Sequence, residues 1–163
     1  MEQGGRYMSD DFKTSYNTDN PKQQGTVLCG IVNDLLKEFP EISENYEEEI
    51  AWIKDTFQGK ETEGQTAYFD RCFCDYIGRL LMNERRDTIR IEKVFAFLEE
   101  MAVSEDMEVR NLLQVTVLEY LRSWYPLQNE SEKLMLPETK KIFDCVKSYL
   151  QEPPQDAVPY FSI

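Results

Sequence analysis

In "TVLCGIVNDLLKEFP" the apolar residues Val27, Leu28, Ile31, Val32, Leu35, Leu36 and Phe39 recur every three or four positions. That spacing lays one stripe along a helix, and Pro40, which has no N–H to extend it, ends the stripe. In "EISENYEEEIAWIKDTFQGK" the residues Ile42, Tyr46, Ile50, Ile53 and Phe57 share a face of a second helix that closes near Gly59, with Glu47, Glu48 and Glu49 turned outward. The apolar-free "KETEGQ" reads as a loop. A third helix carries Phe69, Phe73, Tyr76, Ile77, Leu80 and Leu81, and a fourth, capped by Asp87, carries Ile91, Val94, Phe95, Leu98, Met101 and Ala102. Ser104 is placed to cap a fifth, with Glu105, Asp106 and Glu108 in its first turn, where carboxylates suit the helix dipole. From Val109 to Leu121 apolar residues cover well over half of the wheel, which predicts neighbours on two sides and a central position. Val115, Thr116 and Val117 would also suit a strand, but the length of the unit and its helix-start signals favour helix. "SWYPLQNESEKLMLPET" reads as a loop returning Trp124 and Tyr125 to the core. Pro137 then opens a last helix bearing Ile142, Phe143, Val146, Tyr149 and Leu150, which ends before Pro153.

The pattern predicts an all-α fold of about six helices, arranged as a compact bundle or as a stack of α-α pairs. With 163 residues one core is expected. Residues 1–25 mix Gly, Ser, Asn and Asp without an apolar period and read as a flexible arm. Residues 26–152 form the helical domain. Residues 153–163 form a tail whose Val158, Tyr160, Phe161 and Ile163 are expected to dock, because free apolar ends invite aggregation.

Charge narrows the partners. Eighteen Lys and Arg face 31 Asp and Glu, a formal charge of -13. Such a field repels phosphate backbones and anionic lipid, so nucleic acid and membrane are not expected partners, whereas a basic protein is drawn in. No apolar run reaches the ~18 residues of a membrane span, and the polar start lacks the apolar segment of a signal peptide. A cytoplasmic chain follows, with Cys29, Cys72, Cys74 and Cys145 reduced and buried.

Chemistry is excluded next. The chain has no histidine, which removes the usual base near neutral pH and the commonest zinc ligand. Cys72 and Cys74, two apart on a helix, point to nearly opposite sides and do not grip one ion. The glycines assemble no phosphate cradle. Pairs such as Glu44 with Glu48, or Glu99 with Glu100, read as solvated faces. In "AYFDRCFCDYIGR" helical spacing makes the aromatics core and the arginines exposed. No enzyme, cofactor or metal is expected; an acid-dependent enzyme would require a pocket of converging carboxylates.

"SEDMEVRNLLQVTVLEYL", with Asp106 at the turn and Val109 and Arg110 opening the helix, resembles a HEAT or armadillo-type hairpin. Over Tyr68 to Leu150, "AYFDRCFCDYIGRLL", "KVFAFLEEMAVSEDMEVRNLLQVTVLEYL" and "LPETKKIFDCVKSYL" together resemble a family of small helical bacterial proteins without an assigned activity. That resemblance implies an immunity protein of a polymorphic toxin system, and it transfers no functional residue. The resulting expectation is a non-enzymatic inhibitor that occludes a basic toxin. Glu47, Glu48, Glu49, Glu105, Asp106 and Glu108 would steer association, and Trp124 or Tyr125 would anchor it. Trp52 is a third anchor candidate, but its position beside Ile50 and Ile53 favours the core. The alternative is a HEAT-like adaptor with several weaker partners and no toxin.

Overall fold

In the computed structural model, residues 21–153 and residue 155 are described, with side chains described from Gly30 onward. They form eight helices and, among the described residues, no strand. Helix α1 spans Pro21–Glu38, α2 Pro40–Asn45 and α3 Glu47–Thr56. Helix α4 runs through Glu61–Tyr68, a π-helical stretch Phe69–Cys74 and Asp75–Met82. Helix α5 is Thr88–Ala102. Helix α6 runs through Met107–Leu112, a second π-helical stretch Leu113–Leu118 and Glu119–Arg122. Helices α7 (Tyr125–Glu132) and α8 (Pro137–Tyr149) complete the domain.

Helices α4 and α6 form the centre and meet at their π-helical stretches, where the Cys74 thiol lies 3.8 Å from the Thr116 carbonyl oxygen. Helices α1 and α3 pack on the first half of α4, α7 on its second half, and α5 and α8 flank α6. The two-sided apolar wheel of α6 is thereby used: Val109, Leu113, Val117, Leu118 and Leu121 are fully buried. Val115 is the exception, exposed on the outer side of the same helix. Phe39, at the end of α1, joins three elements, its ring 5.8 Å from those of Phe73, Tyr76 and Phe97. Pairs at this spacing add to the area they bury.

The structure corrects several boundaries. Helix α1 starts at Pro21, within the expected arm; proline suits a first helical position because its missing N–H has no partner there anyway. The expected second helix is two, broken at Tyr46. "ETEGQ" is helical rather than loop, because Gln65 and Tyr68 bury there against α1 and α3. The return segment holds α7, in which Pro126 takes an early position. Asp106 caps α6 in place of Ser104, accepting from the Glu108 N–H at 2.9 Å, while the Ser104 hydroxyl accepts from the Asp106 N–H at 3.1 Å. Asp87 caps α5 through the Arg90 N–H. Cys72 and Cys74 are buried, but Cys145 is exposed. The expected docking of Val158, Tyr160, Phe161 and Ile163 lies outside the described residues, as do residues 1–20 of the arm.

Candidate functional site

Helix α3 presents Ile50 and Ile53 inward. Trp52 falls off that stripe, and its helical neighbours at three and four positions are Glu48, Glu49, Asp55 and Thr56. The indole therefore stands on the surface, 43% exposed, which corrects its expected place in the core. Two contacts hold it there. Its ring meets Phe57 edge-on with centroids 6.0 Å apart, and the Arg71 guanidinium of α4 stacks over it at 4.3 Å. Arg71 also pairs with Glu49. A cation over an indole is attracted by the negative face of the ring, so aromatic, base and acid form one contiguous patch.

The patch continues along α4. The Tyr46 hydroxyl, at the break between α2 and α3, donates to Asp75, which also accepts from Arg79 Nε at 2.7 Å. Burial, reinforced by that carboxylate, raises the Tyr46 hydroxyl well above its ordinary range, and the hydrogen bond to Asp75 raises Arg79. At the next residue of α4, Tyr76 donates to Glu41, which Arg90 of α5 approaches at 3.4 Å. Behind these pairs the Tyr120 hydroxyl of α6 is buried without a hydrogen-bond partner; burial, then the charge of Cys74 and Asp75, raises it as well. Burial, then Glu49 and Asp75, pushes the Cys72 thiol up to about 12. These shifts suppress ionisation rather than prepare a nucleophile.

The residues expected to bind a partner divide among three places. Glu47 and Glu48 are exposed in the first turn of α3, and Glu49 is half-buried against Arg71. Glu105, Asp106 and Glu108 occupy the α5–α6 turn, where Asp106 serves as a cap and Arg110 donates to the Ser104 carbonyl. Trp124 is partly buried against the core, and Tyr125 is 42% exposed at the start of α7. Of the three, the first group joins the patch, through the pair of Glu49 with Arg71. Arg71, Tyr46 and Asp75 were missed, and Trp52 was a candidate anchor whose place in the core was favoured. The available signal was that Trp52 has only polar neighbours at helical spacing.

Among the described residues, no group of three or more His, Cys, Asp or Glu is placed to hold a metal ion, and no helix is long and apolar enough to cross a membrane. The fold and its patch define a compact all-α domain with a charged, tryptophan-bearing face. Residues 32–150 match the family model described as Domain of unknown function (DUF7674), and the chain belongs to that family. No curated protein and no solved structure gives a significant match.

Proposed function

We propose that the chain is a non-enzymatic protein-binding module, most concretely an immunity-type inhibitor that occludes a basic partner toxin. The observation that carries this reading is Trp52, exposed and stacked by Arg71, with Glu48, Glu49 and Asp55 at helical spacing from it. Trp and Arg are enriched among binding hot spots, where they fill well-packed, desolvated pockets. A carboxylate rim speeds encounter with a basic surface and loses force as salt rises. Glu47 and Glu48 extend the rim, while Trp124, packed inward, passes the anchoring role to Trp52. Against enzymatic chemistry stands the absence of histidine from the sequence.

The test is recovery of bound proteins from the source cells at low and high salt, using the wild-type chain, Trp52→Ala and Glu48→Lys. The expected result is one stoichiometric basic protein, toxic when expressed alone and harmless beside the wild-type chain. Trp52→Ala should weaken it at least ~30-fold, the scale of a hot-spot residue. Glu48→Lys should slow association mainly at low salt. Several weak partners would instead favour the adaptor reading, and a toxin bound equally by all three chains would remove Trp52 from the interface.

A further inference from the structure

Helix α7 brings little apolar area to the core: of its eight residues, Leu127 is the buried apolar one, and Tyr125 stands exposed. Acids tie down its last turn. Glu130 pairs with Arg86 of the α4–α5 turn and, at 2.9 Å, with Lys133. Glu132 pairs with Lys147 and, at 3.0 Å, with Lys140 of α8, two lysines that Asp144 shares. Underneath lies a cation. Arg122, at the end of α6, is 5% exposed. Its Nη1 donates to the Gln128 carboxamide oxygen of α7, and its Nε is buried with no acceptor among the described residues. The guanidinium stays charged in a protein, yet its hydrogen-bond partner is a neutral amide, which reaches the Glu132 carboxylate at 3.5 Å.

We propose that α7 is a strap that opens as a unit from an otherwise folded chain, and that its opening brings Arg122 into water on a molecule of formal charge -13. Two sets of groups act on the strap with opposite sign. The ion pairs of Glu130 and Glu132, with the burial of Leu127, hold it shut. The guanidinium beneath it drives it open, because a charge kept from water without a counter-charge regains hydration when its cover leaves. Val117 and Leu118, in the middle of α6, are apolar and fully buried and carry no such opposition. The strap works in this way whatever the Trp52 face binds.

Amide hydrogen exchange of the full ¹⁵N-labelled chain tests this, comparing residues 128–132 with Val117 and Leu118 after correction for intrinsic rates. In the wild type the α7 amides are expected to share one protection factor, at least ~30-fold below that of the two α6 amides, because opening a part costs less than unfolding the whole. They should exchange about threefold faster in about 1 M salt, where charges are screened beyond ~3 Å. Glu130→Gln with Glu132→Gln should speed α7 exchange about fivefold and remove most of the salt response. Arg122→Met with Gln128→Met, which replaces both buried partners together, should slow it about fivefold, with the shifts of α4 and α5 still those of the folded chain. Four results would overturn the proposal: protection equal to that of Val117 and Leu118, meaning that α7 opens only with the whole chain; protection graded along α7, the mark of fraying; no response to salt; or faster α7 exchange in the Arg122→Met, Gln128→Met chain.

Discussion

Helix α8 starts at Pro137 with no cap of its own, since Leu136 has no side-chain acceptor. The acceptor comes from α5. The Glu99 carboxylate takes the Glu138 and Thr139 N–H groups at 2.9 Å each and the Thr139 hydroxyl at 2.7 Å. Glu99→Ala removes a cap worth ~1 kcal/mol and a favourable charge at the helix's positive end worth about 0.3–1 kcal/mol. It also strands the fully buried Thr139 hydroxyl, a loss of about 1–3 kcal/mol. The expected cost is therefore about 2–5 kcal/mol, or about 4–20 °C in Tm for a chain of this size. Urea unfolding of the wild type, Glu99→Ala, Thr139→Val and the double variant measures it. The double variant should lose less than the sum of the singles, because both remove the same contact. A Glu99→Ala cost under ~0.5 kcal/mol, the level of an ordinary surface change, would refute the reasoning, as would strict additivity.

Two further outcomes follow from the same structure. Exposed Cys145 should react with iodoacetamide at about pH 8, while Cys72 and Cys74, whose burial holds both thiols well above the ordinary range, stay protected until the chain unfolds; peptide mapping that finds Cys72 labelled first would contradict this. For Glu132, burial raises the carboxyl, but hydrogen bonds from Lys147 and Lys140 outweigh it and hold the carboxyl below its ordinary 4.5. The folded value is the lower one, so the stabilisation is complete above the unfolded value and is lost as pH falls through the folded value. Glu132→Gln should thus be less stable near pH 7 and show a flatter acid limb below about pH 5 in urea midpoints. An unchanged limb would place the pair's contribution near zero.

The sequence alone determined most of the helices and of their inward faces. Stripes such as Ile91, Val94, Phe95 and Leu98 bury as their spacing requires, because burial of apolar area is non-directional and needs only the correct period. The cap at Asp87 and the opening of α8 at Pro137 were likewise legible, since each rests on local backbone chemistry. The π-helical stretches were not. They occur where α4 and α6 face each other, and a widened turn is chosen by the neighbour it packs against. Helix at Glu61–Tyr68 was equally hidden, because its weak propensity is overridden by burial of Gln65 and Tyr68 against α1 and α3. The candidate patch shows the same division. Composition supplied its acids and the pattern of α3 left Trp52 without apolar neighbours, but only tertiary packing brought Arg71 across from α4 to stack on the indole. Periodicity assigns each residue a direction relative to its own helix; which side chain of another helix meets it depends on how the two axes cross, and that is fixed by the packing of the whole core.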